Sequence, residues 1–249
     1  MACVVESVSA LASGSRTNST VTAPSGIADG DILVYGLKVG EASGGPTATA
    51  PTGFAAPTGI PLAWTGSGIG DSWGNRIYLW TKKAASESGN YTATHSSAYS
   101  TAFMWRISGG DQTTWVDQDP TSQSTNGGVD PPNAGDVLTA PTQTPTVDGC
   151  AVLWYGESWD AFGAATPSSG FTERRNVTTE GTYVQDLIQT SAAATGGVAV
   201  TCAQTGTRPK GCVMLVIRAA AGGGASGFPI LLPVEHPSIM EMWRWDKRF

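Results

Sequence analysis

One phrase occurs twice in this chain, and its surroundings repeat with it. Residues 31–36 read Asp-Ile-Leu-Val-Tyr-Gly, and residues 151–156 read Ala-Val-Leu-Trp-Tyr-Gly. Thr22-Ala23-Pro24 recurs as Thr139-Ala140-Pro141, Gly30 as Gly149, and Gly53-Phe54 as Gly170-Phe171. Gly89-Asn90-Tyr91-Thr92-Ala93-Thr94 aligns with Gly196-Gly197-Val198-Ala199-Val200-Thr201, and Phe103–Ile107 aligns with Val213–Ile217. The order is kept while the offset drifts between 107 and 120, as loop insertions would cause. Matches in order at a near-constant spacing point to an internal duplication.

Each half predicts a similar set of strands. One ends near Ala-Pro, the Tyr-Gly strand follows, then a Gly-Phe strand and one around Ile77–Thr81 or Tyr183–Thr190. An alternating strand (Tyr91–His95 or Val198–Cys202) and an apolar closing strand complete it. In the alternating strand Tyr91, Ala93 and His95 point one way, and Thr92 and Thr94 the other. Only 14% of residues are charged, and Gly and Pro are spread along the chain, which suits short strands joined by tight turns. A half offers too few strands to cover a sheet, and a two-layer sandwich needs both. The expectation is therefore an all-β, jelly-roll-like antiparallel β-sandwich over 1–218, from halves at about 20–110 and 137–218. Two small tandem sandwiches are the alternative. The stretch Gly109–Asp136 reads as mostly loop. Trp80, Trp105 and Trp154 read as core, and Trp64, Trp73, Trp115 and Trp159 as loop residues.

At Ala219 the character changes. Residues 219–227 are a flexible Gly/Ala linker by composition. Residues 228–249 then carry Phe228, Ile230, Leu231, Leu232, Ile239, Met242, Trp243, Trp245 and Phe249. Pro237-Ser238 with Glu241 is a capping-box pattern, so an extended or short helical peptide is expected, with Met242, Trp245 and Phe249 on one stripe. Alone such a peptide is too short to hold a helix in water. Burying each large apolar side chain is worth ~1.5–3 kcal/mol, so the peptide needs a surface to cover it. These nine residues are the candidate anchor to a partner protein, and the competing reading folds them back on the sandwich.

Chemistry is sparse. The two histidines, His95 and His236, have no G-x-S-x-G elbow to serve. His95 reads as a strand-face residue. Glu157 and Asp160, after the second Tyr-Gly and beside Trp159, are the candidate glycan contacts. The same two carboxylates are the candidate acids of a glycan hydrolase. Asp29 and Asp31 lack the full calcium-loop spacing and read as a turn before a strand. No cofactor or metal is called for. The four cysteines, Cys3, Cys150, Cys202 and Cys212, form no C-x-x-C pair, and Cys202 and Cys212 flank a turn where they could face each other. Buried thiols are the simpler account.

The net charge of −6 has no basic face to set against a phosphate backbone, so nucleic acid is not expected as a partner. No apolar run reaches the ~18 residues a membrane helix needs, and no charged-then-apolar leader opens the chain.

Several phrases together resemble a family of bacteriophage-associated structural proteins. They are Ala-Pro-Ser-Gly-Ile-Ala-Asp-Gly-Asp-Ile-Leu (23–33), Ala-Pro-Thr-Gly-Phe (50–54), Gly-Asn-Tyr-Thr-Ala-Thr (89–94) and Trp-Arg-Ile-Ser-Gly-Gly-Asp (105–111). In the second half come Thr-Val-Asp-Gly-Cys-Ala-Val (146–152) and Thr-Pro-Ser-Ser-Gly-Phe-Thr-Glu-Arg (166–174). The resemblance covers about residues 20–220 and implies a β-sandwich used in virions as head decoration, cement protein, fibre or tail-associated protein. It brings no functional residues with it. The expected function is a non-enzymatic virion protein, made in the bacterial cytoplasm and held to a capsid or tail protein by the C-terminal peptide, with homo-oligomers allowed. A carbohydrate-binding or adhesin module for host-surface glycans is the alternative, and a β-sandwich hydrolase stands behind both.

Overall fold

The runs Ile32–Val39 and Cys150–Tyr155 are apolar on nearly every residue, so a strand made of either needs cover on both faces. The fold supplies it. The computed structural model describes residues 1–41, 46–60, 62–68, 71–125, 136–158, 165–177, 181–202 and 210–221. The strands are β1 (Val4–Val8), β2 (Ala12–Thr22), β3 (Ile32–Glu41), β4 (Ala48–Thr49), β5 (Leu62–Gly68), β6 (Asp71–Lys83) and β7 (Asn90–Ser108). They continue with β8 (Val116–Thr125), β9 (Asp136–Ala140), β10 (Cys150–Ser158), β11 (Thr172–Val177), β12 (Thr182–Gln189), β13 (Val198–Cys202) and β14 (Lys210–Ile217). Every pairing is antiparallel, and the described residues contain no helix.

Two five-strand arrays form the central sandwich. The first runs β1-β7-β3-β6-β5 and the second β8-β14-β10-β12-β11, so strands of corresponding rank in the two halves hold corresponding places. On its outer face the first array carries β2 and β4, paired with the N-terminal part of the long β7. The second carries the β9–β13 pair. The likeness extends to irregularities. β1 bulges between Val5 and Ser7 opposite Ile107 and Arg106, and β8 steps from Val116 to Gln118 opposite Ile217 and Val216. The skipped residues are both acids. Glu6 accepts from the Ser108 hydroxyl at 2.6 Å, and Asp117 pairs with Arg218 at 3.3 Å. The matched glycines open matched turns, with Gly30 N bonded to Ala84 O at 2.9 Å and Gly149 N to Gln189 O at 2.8 Å.

Alternation sorts the side chains. Leu33, Tyr35, Leu37 and Val39 pack outward with Val21, Phe54, Tyr78, Trp80, Tyr91 and Met104. Ile32, Val34, Ile77, Leu79, Phe103 and Trp105 face the second array. The Phe103 and Tyr155 rings meet edge to face across the sandwich, with centroids 4.8 Å apart. At one margin β11 lies over the edge strand β1. Arg174 donates to Val5 O at 3.1 Å, and Arg175 donates to Val8 O at 2.9 Å and Ser9 O at 2.8 Å. Edge carbonyls are thereby satisfied and closed to another chain.

The ladders also correct the reading of the echo. Ile32 pairs with Ile107 where Ala151 pairs with Ile217, and with Lys83 where Ala151 pairs with Ile188. The matching positions are therefore Tyr35 with Trp154, Gly36 with Tyr155, and Lys38 with Glu157. The quoted Tyr-Gly phrases are one residue out of step, and a one-residue slip turns a side chain to the other face. Tyr35 indeed points outward and donates to Ser19 O at 2.7 Å, whereas Tyr155 points into the sandwich.

Two further expectations change. The stretch Gly109–Asp136 contains the ten-residue β8. Its polar sequence hid it, because an edge strand needs few apolar residues. Trp64 and Trp73 lie in β5 and β6 rather than in loops. Trp80, Trp105 and Trp154 are buried as expected. Trp115 precedes β8, packs on the core and donates from Nε1 to Thr81 Oγ1 at 3.0 Å. Cys3, Cys150 and Cys212 are all buried.

Candidate functional site

A charged residue in an otherwise apolar strand must find a partner or give up its charge. Both central strands carry one near the same end: Lys38 in β3 and Glu157 in β10, each 0% exposed. They meet in the middle of the sandwich, with Lys38 Nζ 3.6 Å from Glu157 Oε2. Lys38 Nζ also donates to Ser158 O at 2.5 Å and lies 5.9 Å from the centroid of the Tyr99 ring. The other carboxylate oxygen, Glu157 Oε1, accepts from Thr101 at 2.9 Å, from Thr182 at 2.8 Å and from the Tyr155 hydroxyl. Four strands thus converge on one carboxyl group: β3, β7, β10 and β12.

Burial pushes the Glu157 carboxyl up to about 7, against the opposing pull of Lys38 and the hydroxyl donors. The same burial, with Glu157 beside it, holds the Tyr155 hydroxyl well above its ordinary range. An ion pair in this setting recovers its desolvation cost only through good geometry and added hydrogen bonds, which the three hydroxyls provide. Gly36, next on the same face of β3, leaves room for the Phe103 ring, since a Cβ there would lie 2.7 Å from Phe103 Cζ.

A second polar network lies where β7 leaves the outer layer for the central sheet. His95 Nδ1 is 2.8 Å from Ser96 O, so Nδ1 carries the proton and Nε2 accepts from Ser19 Oγ at 3.1 Å. Ser19 Oγ is 2.8 Å from Ser100 Oγ. A serine on a histidine acceptor is the geometry of an activated nucleophile. Ser19 and Ser100 are fully buried, however, and desolvation keeps His95 below its ordinary value. The network satisfies polar groups at a bend, with both serine hydroxyls shut off from solvent.

Of the residues read as glycan contacts, Glu157 is corrected. It is sealed between the sheets and turned away from any surface. Trp159 and Asp160 lie outside the described residues, as do Phe228, Ile230, Leu231, Leu232, Ile239, Met242, Trp243, Trp245 and Phe249. Asp31 is a turn residue as expected, accepting from Ala28 N at 2.9 Å and from Arg106 Nε at 2.6 Å. Among the described residues no group of three or more His, Cys, Asp or Glu is placed to hold a metal, and no helix is long and apolar enough to cross a membrane. Lys38, Thr101 and Thr182 were not singled out from sequence. The signal was present in the lone lysine within Ile32–Val39 and in the acid closing the matching run.

The fold and this site define an antiparallel β-sandwich whose ionisable centre is internal. Comparison with family models, with curated proteins and with solved structures finds no match.

Proposed function

We propose that this chain is a non-enzymatic bacteriophage virion protein, displayed on the particle and fixed to a capsid or tail protein through residues 228–249. The observation that carries the reading is the change of character at Ala219. There a sandwich that exposes few large apolar side chains among its described residues gives way to a Gly/Ala linker and then to a peptide dense in Trp, Met and Leu. Such a peptide is stable only when covered, and a Gly/Ala-rich composition in the linker suits reaching a neighbour's groove. The resemblance to phage structural proteins over residues 20–220 supports the same assignment. So does the setting of Glu157 and His95, both buried and held by the protein's own side chains. Arg174 and Arg175 over β1 suit a module that must stay separate at high local concentration.

The test is removal of residues 228–249. The truncated chain is expected to keep the circular dichroism of a folded β protein and to be lost from purified particles. Incorporation at the level of the full chain would overturn the proposal.

A further inference from the structure

We propose that Lys38 and Glu157 condense into an amide that covalently joins β3 to β10, and so the two halves of the sandwich. The argument rests on geometry. The amine and the carboxyl are 3.6 Å apart, both at 0% exposure, on the central strands of facing sheets. The two carboxylate oxygens are not equivalent. Oε1 is held by Thr101, Thr182 and Tyr155, whereas Oε2 accepts no hydrogen bond from the described residues and faces Lys38. Three hydroxyls on one oxygen are the arrangement that stabilises the negative charge of a tetrahedral intermediate. An oxygen turned toward the amine is the one placed to leave.

The step balances without a redox partner. A proton passes from the Lys38 ammonium to Glu157, giving an amine and a carboxylic acid. Burial holds the carboxyl up to about 7, so the neutral acid is populated near neutral pH. Nζ attacks Cδ, and the C–N bond forms as the C–Oε2 bond breaks. Oε2 departs as water with the carboxyl proton and one amine proton, and the nitrogen keeps one hydrogen as the amide N–H. The Ser158 carbonyl, 2.5 Å from Nζ, holds one N–H and so orients the lone pair. Two factors favour the product over the ion pair. Fixed neighbours react at a very high effective concentration. Condensation also removes two charges that the interior solvates poorly.

The full-length chain, purified and denatured, is expected to weigh one water less than its sequence. A protease digest should yield a branched peptide joining Lys38 to Glu157. Lys38→Met should appear at its own sequence mass. Tyr155→Phe keeps the packing but removes one donor from Oε1. It is expected to reach the light form about 10²-fold more slowly, a change that a purely structural hydroxyl would not cause. A wild-type chain at its sequence mass after prolonged incubation overturns the proposal. So does a water deficit that hydroxylamine reverses and that maps to Asp29-Gly30 or Asp148-Gly149, where an imide forms with the same mass loss. Equal rates for wild type and Tyr155→Phe would overturn the role given to the Oε1 donors.

Discussion

The two halves of this molecule agree in order, turns and even bulges, and disagree where they touch. Ladder-matched positions on the facing surfaces hold Gly36 against Tyr155 and Lys38 against Glu157. β1 lies beside β11 and β12 at one margin, and β5 beside β8 at the other, which is the arrangement a two-fold relation gives. Two identical faces meeting across such an axis set each residue near its own copy. A buried lysine would then face a lysine, and a tyrosine would compete with a tyrosine for one volume. The difference between the halves resolves both conflicts. Opposite charges replace like charges, and a glycine makes room for the aromatic pair Phe103 and Tyr155. The halves share an architecture but are not interchangeable.

Reversing one charge breaks that complementarity most severely. Lys38→Glu sets two carboxyls together at a site with no exposure, and Glu157→Lys does the same with two amines. Each single change is expected to lose ~3–5 kcal/mol in urea unfolding, the range for a buried charge left without its partner. The exchange Lys38→Glu with Glu157→Lys should recover at least half of that loss. An exchanged chain no more stable than the single variants would show that pairing at this position is not what distinguishes the halves.

A smaller effect separates the matched glycines. Gly30 and Gly149 both adopt left-handed backbone, with φ of 89° and 79°. A Cβ on Gly30 would meet only the flexible Gln112 side chain, at 3.0 Å. On Gly149 it would lie 2.8 Å from Ala2 Cα, where the N-terminal segment is tied down by Cys3 N donating to Gly149 O at 2.8 Å. Gly30→Ala is expected to cost about 1–2 kcal/mol for the strained φ alone. Gly149→Ala should cost roughly 1 kcal/mol more, since the added contact falls within the usual range for overpacking. Deleting Met1 and Ala2 should bring the two costs together in calorimetry. A gap that survives the deletion would assign the difference elsewhere.

The β class, the central apolar strands and the buried Trp80, Trp105 and Trp154 were legible because period and apolar runs report burial directly. The polar edge strand β8 was not, since hydrogen bonding to β14 rather than apolar burial holds it in place. The Tyr-Gly echo showed which strands correspond but misplaced them by one residue. Likeness of side chains is blind to the pleat, and only ladder partners fix the face. Glu157 read as a surface acid because an acid after Tyr-Gly resembles a loop. Its true setting depends on Lys38 and Thr101, which are distant in sequence and meet it only when the sheets stack.

The last contrast is in pH dependence, where Glu157 in one half and His95 in the other act with opposite sign, and Asp186, whose carboxyl is also raised by burial, acts in the same sense as Glu157. Glu157 is raised from 4.5 to about 7, so between those values the native state binds the extra proton, and stability falls as pH rises through the window. His95 is lowered from 6.5, so the unfolded chain binds the extra proton there, and stability falls as pH drops below that value. Before condensation the two slopes oppose each other, so the profile from about pH 4.5 to 7.5 is expected to be shallower than the Glu157 slope alone. Glu157→Gln should remove its falling contribution and turn the profile toward stability rising with pH. His95→Asn should leave the falling contributions of Glu157 and Asp186, with stability falling as pH rises. The readout is the sign of each residual slope, which follows from the direction in which burial moves each group. Protein in which Lys38 and Glu157 have condensed lacks the Glu157 part of the falling slope, because that carboxyl no longer titrates. Profiles taken before and after mass analysis shows the light form therefore separate an ion pair from an amide, and parallel profiles in the two preparations would place the titration outside this pair.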